Sequence, residues 1–324
     1  MIEDRGSVPN AVTNLPHDRS SLLWEGKTSG CATKIFTDSM DRWIDAMVAD
    51  EHGGGSSSNE IIIGTVSAKQ AGVLAGCCIV DRLAIRHFNA CSLKWDSKEG
   101  KRLEKGDLVL TIRGPAHEVL RIERILLNIL GRLSGIATNT ADWISESGAI
   151  EVACTRKTEW GLLDKWAVHV GGGMTHRLDR SDAIMIKEND LPAISPEIRN
   201  EQEAIVSIIN QINMDLDAHF CVIEVRNYEQ AKVAVSAWAK NQVERKGTER
   251  IVLLLDNMGP SGCSYVNRKL NEEGLRSWCI LEGSGGVVRK ELAEWVESGI
   301  DIVSTSALNR GVAPLDLSMR AVGE

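Results

Sequence analysis

The chain reads as an α+β half followed by a parallel α/β half. Three observations predict this. Up to Arg113, helical and strand-like patterns mix, with turn residues between them. One long helical pattern then runs over residues 116–147. From Ile150 onward, short apolar runs alternate with amphipathic segments. Alternation of that kind predicts parallel strands joined by right-handed crossovers. About six units over ~170 residues fit either a small barrel or an open doubly wound sheet. No GxGxxG follows the first strand, which weakens a dinucleotide fold.

Element by element, residues 36–50 space Met40, Trp43, Ile44 and Met47 as a helix does. The run His52-Gly-Gly-Gly-Ser-Ser-Ser-Asn59 breaks that helix and reads as a flexible loop. Strands are expected at 61–66, 72–80 and 108–113, with a turn at Glu104-Lys105-Gly106. The helix at 116–147 shows Leu120, Leu127, Ile129, Leu130, Leu133 and Ile136, with Gly131 and Gly135 interrupting it. The later apolar runs are 150–154, 183–186, 221–225, 251–255, 279–281 and 301–303. The helical segments between them are 161–168, 196–217, 229–243, 264–275 and 287–297.

The chain has 324 residues and is long enough for a sizeable core in one large or two smaller domains. Hydrophobic content of 43% and charged content of 25% fit a soluble globular protein. A net charge of -8 makes it a poor general binder of nucleic acid or anionic membrane. An anionic ligand must therefore be held by a local group of cations. No stretch approaches the ~20 apolar residues of a membrane span. The first twenty residues are polar, hold Pro9 and Pro16, and lack a signal peptide's apolar centre. Residues 1–35 are expected to be a flexible tail. None of the eight cysteines forms a CxxC, and Cys154, Cys221 and Cys279 lie within apolar runs. Free cysteines in a reduced cytoplasm are the simplest reading.

In a parallel α/β fold the site lies at the carboxyl ends of the strands. There the chain places Arg156 and Lys157, then Lys187, Glu224, Asp256, Ser284-Gly285-Gly286 and Ser304-Thr305-Ser306. His176 and Arg177 follow the Gly171-Gly-Gly173 turn. Arginine forks suit carboxylates and phosphates, while lysine acts as a point charge. Glu224 and Asp256, on separate strands, suit Mg²⁺ held together with substrate phosphates. The glycine loop before a helix offers backbone N–H groups to an anion. Each feature alone has a plainer reading. Arg156 and Lys157 serve equally as solvated loop charges, His176 as a structural histidine, and Lys187 as a lysine that snorkels to solvent. Glu224 is harder to dismiss, because carboxylates are seldom buried unpaired. Six strand ends carrying such groups together point to a phosphorylated polyanion and magnesium.

These residues also fall in a recognisable series. Ile122-Glu-Arg-Ile-Leu-Leu-Asn128 with Arg132-Leu-Ser-Gly-Ile-Ala-Thr138 resembles the central helix of the quinolinate phosphoribosyltransferases. Thr155-Arg-Lys-Thr158, Gly171-Gly-Gly173 with His176-Arg177, Ile186-Lys-Glu-Asn189, Leu255-Asp-Asn-Met258, Ser284-Gly-Gly286, Ser298-Gly-Ile-Asp-Ile-Val303 and Leu315-Asp-Leu-Ser318 follow in the family's order. The resemblance covers about residues 36–320. It implies an incomplete, about six-stranded α/β barrel over 133–308 and an N-terminal α+β sandwich over 36–132, with residues 309–324 packing back on the sandwich. It implies a homodimer, or an assembly of dimers, with shared active sites. It also implies the decarboxylating transfer of quinolinate onto phosphoribosyl pyrophosphate with Mg²⁺, which makes nicotinate mononucleotide for NAD synthesis.

By the same resemblance, Arg156, Arg177 and His176 grip the quinolinate carboxylates, and Arg124 enters the neighbouring subunit's site. Lys157 and Lys187 meet the phosphoribosyl donor or the dicarboxylate. Glu224 and Asp256 serve the metal and the ribose. Ser284, Gly285 and Gly286 hold the 5′-phosphate, with Ser306 beside them. Three positions depart from the family's pattern: Glu159-Trp160 where Pro-Gly is common, Asp190 where histidine is usual, and Ser306 where a glycine stands. The altered loops leave room for a related transferase acting on another aromatic acid. A non-catalytic binder of a phosphoribosyl ligand is a third reading, and a sugar-phosphate aldolase on a barrel a fourth. Retention of Lys157, Lys187, Glu224 and Asp256 together argues against the binder.

Overall fold

A computed structural model describes residues 15–26, 30–51, 57–212 and 219–323. Its elements begin with a two-residue ladder of β1 (Trp24–Glu25) and β2 (Cys31–Ala32), then α1 (Lys34–Asp50). Next come β3 (Ile61–Ala68), β4 (Gly72–Val73), α2 (Cys77–His87), β5 (Ser92–Trp95), β6 (Arg102–Leu103), β7 (Leu108–Pro115) and the long α3 (Ala116–Glu146). Then β8 (Glu151–Cys154), α4 (Leu162–Val170), β9 (Ile184–Ile186), α5 (Leu191–Ile194), α6 (Glu201–Gln211), β10 (Cys221–Val225) and α7 (Tyr228–Arg245) follow. The chain ends with β11 (Ile251–Asp256), α8 (Gly259–Glu272), β12 (Cys279–Ser284), α9 (Leu292–Glu297), β13 (Ile302–Thr305) and β14 (Leu317–Gly323).

The N-terminal half is an antiparallel sheet of order β14-β3-β7-β5. On β3, Gly64, Val66 and Ala68 are buried while Thr65 and Ser67 are only partly so, the period-two pattern of a strand with one covered face. The last strand, β14, returns to this sheet and pairs antiparallel with β3 from Leu317↔Ala68 to Gly323↔Ile62.

Helix α3 is continuous for 31 residues. Gly131 and Gly135 do not interrupt it. They admit the returning chain instead: a Cβ at Gly135 would lie 2.3 Å from the Ala313 carbonyl oxygen, and one at Gly131 3.1 Å from that of Leu315. The Leu315 N–H donates to the Gly131 carbonyl at 2.8 Å.

The second half is a six-stranded parallel sheet of order β8-β13-β12-β11-β10-β9. Its two end strands, β8 and β9, do not pair, so this α/β barrel is incomplete and carries one open seam. Side chains alternate between two apolar clusters. Ala153, Val222, Val252, Leu254, Ile280 and Ile302 fill the inside, while Val152, Ile223, Leu253, Leu281 and Val303 meet the outer layer. Burial on both faces explains why these strands read as unbroken apolar runs.

Several expectations need correction. Residues 72–80 are not one strand: only Gly72–Val73 pairs, and Cys77 starts a helix. The Glu99 carboxylate accepts from the Gly76 and Cys77 N–H groups at 2.7 Å each and so supplies that helix with its cap. The helix expected over 196–217 begins at Glu201, where the Asn200 side chain accepts from Gln202 and Glu203; residues 213–218 lie outside the described residues, as does 52–56 of the expected loop. The flexible-tail expectation fails for residues 15–26 and 30–35, because Leu15, His17 and Leu23 are buried and Thr33 caps α1; residues 1–14 and 27–29 lie outside the described residues. Among the described residues no helix is long and apolar enough to cross a membrane.

Candidate active site

Because the six strands are parallel, their carboxyl ends face one side. They open there on a cavity of about 830 Å³. After β8 it receives Arg156 and Lys157, and from the loop beyond α4 His176 and Arg177. The ends of β9, β10 and β11 bring Lys187, Glu224 and Asp256. The end of β12 brings Ser284, Gly285 and Gly286, and that of β13 Ser306. Arg124 is placed elsewhere. It lines a separate groove of about 460 Å³ with Arg132, Trp160 and Asp316.

The cavity's charges are unevenly matched. Among the described residues, Arg156, Lys157, Arg177 and Arg310 form no ion pair. Burial, then Arg156 and Arg180, hold the Arg177 pKa below its usual value. Its Nη1 donates to the Ala183 carbonyl at 3.1 Å, but its Nε is a buried donor without an acceptor. A charge so placed is stabilised by an incoming anion.

Lys187, by contrast, is ion-paired with Glu224 on the neighbouring strand. Burial, followed by a hydrogen bond with Glu188, pushes Glu224 up to about 7. Glu188 moves down, chiefly through its interaction with Glu224. The Lys187 N–H donates to Asp190 Oδ2 at 2.9 Å, so this aspartate fixes the turn behind the lysine.

The end of β12 puts backbone against the cavity. Gly285 and Gly286 sit at φ +90° and +65°, conformations that favour glycine. A Cβ at Gly285 would meet the Asn257 backbone nitrogen at 2.9 Å, whereas one at Gly286 would enter open space. Asn257, itself at φ 55°, donates from its N–H to the Ser284 carbonyl and from Nδ2 to Asp256.

Two comparisons decide the family. Residues 48–134 match the quinolinate phosphoribosyl transferase N-terminal domain, and residues 136–320 match its C-terminal domain. The chain belongs to the quinolinate phosphoribosyltransferase family. The probable nicotinate-nucleotide pyrophosphorylase (carboxylating) of Methanothermobacter thermautotrophicus is 30% identical over 268 residues, 81% of this chain and 89% of that protein. The corresponding protein of Bacillus subtilis is 30% identical over 281 residues, covering 83% and 89%. The crystal structure of NadC from Streptococcus pyogenes superposes with a TM-score of 0.75 at 28% identity, over 90% of this chain and 100% of that one.

The family resemblance shows where Glu159-Trp160 is unusual, and the structure shows what the pair does. Arg132 donates to Asp164 from Nε and Nη2 and to Glu159 from Nη1 at 2.7 Å. Its guanidinium lies over Trp160, which stacks at 6.1 Å on Trp43. Asp164 Oδ2 also accepts from the Glu159 N–H, and Asn309 Nδ2 donates to the Lys157 carbonyl. The loop bearing Arg156 and Lys157 is thus braced from three elements. Below it Lys165 is buried, its Nζ donating to the Thr175 carbonyl and lying 3.6 Å from Cys154 Sγ; burial lowers its pKa.

Four residues of this family member escaped the sequence reading: Arg310, Lys165, Glu282 and His17. Glu282 lies at the cavity floor with no exposure, between His176 and His17. Burial raises its pKa, but the two histidines outweigh that and hold it far below the carboxylate range. The rule that singled out Glu224, a carboxylate closing an apolar run, applied equally to Glu282. His17 carried no sequence signal. With Glu282 and His176 it forms the one close group of three metal-donor side chains among the described residues.

Proposed function

We propose that this chain catalyses the decarboxylating transfer of a phosphoribosyl group to quinolinate. Phosphoribosyl pyrophosphate is the donor, and nicotinate mononucleotide, pyrophosphate and CO₂ are the products, made in the cytoplasm for NAD synthesis. One observation carries this reading. In an acidic chain, Arg156, Lys157, Arg177 and Arg310 face a single cavity without an ion pair of their own among the described residues, together with Glu224 and Asp256.

Arg156 and Arg177 bind the two carboxylates of the dianion and aim its ring nitrogen at ribose C1. His176 closes the end of that pocket. The 5′-phosphate lies against the backbone of Ser284, Gly285 and Gly286, where Gly286 leaves open space. As the C1–O bond to pyrophosphate breaks, positive charge grows on the sugar. The buried Glu224 carboxylate and Asp256 stabilise it, while Lys157 and Lys187 take up the negative charge of the leaving group. The ring nitrogen, once bonded to C1, is cationic and its charge stabilises the carbanion left at C2 when CO₂ departs. A solvent proton then completes the ring. No protein nucleophile is needed.

Glu224 and Asp256 are the residues that would hold Mg²⁺. Both offer the oxygen donors a hard cation takes, and the Lys187 ammonium already fills a cation's place against Glu224. Bound there, the ion supplies charge neutralisation to the pyrophosphate. Arg124 lies outside its own chain's cavity, which supports a shared site. We assign it to the site of a second copy in a homodimer or an assembly of dimers.

The test is to incubate purified protein with phosphoribosyl pyrophosphate, Mg²⁺ and either quinolinate or nicotinate, following nicotinate mononucleotide and CO₂. Product from quinolinate, with CO₂ in equal amount, is expected. Product from nicotinate alone refutes the assignment. Tight binding of both ligands without turnover turns the protein into a binder.

A further inference from the structure

The segment just before the first helix is bound into the barrel. Leu15 belongs to the barrel's interior cluster, with Phe220, Val222 and Val252. His17 is fully buried. Its ring stands edge-on to that of His176 with centroids 4.9 Å apart, and its Nε2 lies 3.1 Å from Glu282 Oε2. The Arg19 N–H donates to Thr175 Oγ1 and the Arg19 Nε to Asp182 Oδ1, both at 2.8 Å. Thr175 Oγ1 in turn lies 3.4 Å from the His17 carbonyl. The segment is therefore fastened to both ends of the stretch that carries His176 and Arg177, between the two barrel strands that do not pair. It precedes residue 48, where the family match begins.

The hydrogen bonds fix proton positions. His176 Nδ1 accepts from the Arg177 N–H at 2.7 Å, so the proton of its neutral ring sits on Nε2, facing Glu282 at 3.2 Å. The His17 Nε2 proton takes the other flank of the same carboxylate. Glu282 lines the cavity that also holds Arg156 and Arg177. A buried carboxylate with only one donor seeks a second, and those arginines are cations lining the same cavity.

We propose that residues 15–19 are a stopper in the barrel's seam, and that His17 is a positioning residue. Acting through Glu282, it holds the carboxylate away from the two arginines and against His176 Nε2, and so sets the aim of His176 for a dicarboxylate ligand. This rests on the reading of the cavity as a quinolinate site. His17 touches no substrate, since it lies beneath the cavity floor.

The experiment compares wild type with His17→Leu, which fills the space without a donor, and His17→Gln, which restores one. In His17→Leu the KM for quinolinate should rise by about tenfold, the size of one unsatisfied buried partner, while kcat and the KM for the donor change less than about twofold. His17→Gln should recover most of the loss. In protein carrying ¹⁵N-labelled histidine, the His176 Nε2–H should exchange with solvent faster in His17→Leu, because Glu282 no longer stays on it as acceptor. A folded His17→Leu with wild-type quinolinate KM and an unchanged His176 Nε2–H exchange rate overturns the proposal. So does equal damage to kcat and both KM values in the two variants, which marks a merely structural role. If His17→Leu does not fold, Arg19→Ala loosens the segment from outside the cavity and must produce the same selective rise; no rise overturns it. If wild type never turns over quinolinate, the functional reading fails by itself, and the exchange comparison still decides what His17 does.

Discussion

The Arg132 guanidinium carbon stands 4.9 Å from the centre of the Trp160 ring while its nitrogens grip Asp164 and Glu159. One arginine therefore ties α3, the loop after β8 and the start of α4 together. The loop's cations, Arg156 and Lys157, carry no ion pair of their own, so their aim depends on this brace.

Trp160→Ala removes the cation–π contact, worth about 0.5–2 kcal/mol, and the stacking on Trp43. The expected outcome is a quinolinate KM raised several-fold with a smaller change in kcat. Steady-state kinetics check it; an unchanged KM would detach the loop's aim from the brace.

Asp164→Ala should be far more costly. The carboxylate is fully buried and is shared by Arg132, the Glu159 N–H and Asn309. Removing one partner of a buried pair typically costs about 3–5 kcal/mol. Urea denaturation should show a loss in that range, with the midpoint lowered and the slope unchanged.

Glu224 makes activity depend on pH. Its pKa is raised from the ordinary 4.5 to about 7, chiefly by burial, so the folded protein holds a proton there that the unfolded chain has released. The group's contribution to stability therefore falls as pH rises through that window. Activity moves the other way, because the ionised form faces the sugar. kcat/KM for the donor should climb with pH to a plateau above about 7, and Glu224→Gln should lower the plateau and remove that limb.

Gly285→Ala tests the phosphate cradle. At φ +90° a side chain strains the backbone by about 1–3 kcal/mol, and its Cβ meets Asn257. The donor's KM should rise tenfold or more while that for quinolinate stays near wild type. Equal effects on both would mean that the loop does not face the donor.

Arg124→Ala should be inactive alone. Mixed with an inactive Lys187→Ala chain under conditions of verified subunit exchange, it should regain part of the wild-type rate. No recovery would place Arg124 outside any shared site.

Much of the barrel was legible because parallel strands covered on both faces leave unbroken apolar runs, and the next polar residue marks the rim. Asp256 and the Ser284-Gly285-Gly286 turn were found that way. Helix α2 was not. Its apolar, partly β-branched sequence reads as strand, and what starts the helix is Glu99, 22 residues beyond Cys77. His17 was hidden for a similar reason. Pro16-His17-Asp18 is as polar as any tail, and only the fit against Glu282 and Phe220 shows that it belongs inside. Glu159-Trp160 looked like a disturbance beside the cations until Arg132 supplied its partner.

The return of β14 to β3 has a mechanical meaning. Sandwich and barrel are joined once by α3 and again by the chain that passes Gly135 and Gly131 on its way back. Two bodies on a single tether can swivel about any axis; on two separate tethers they keep only rotation about the line between them. The return of the chain thus restrains how far the sandwich can turn against the barrel, and with it how far α3 can shift under the loop that carries Arg156 and Lys157.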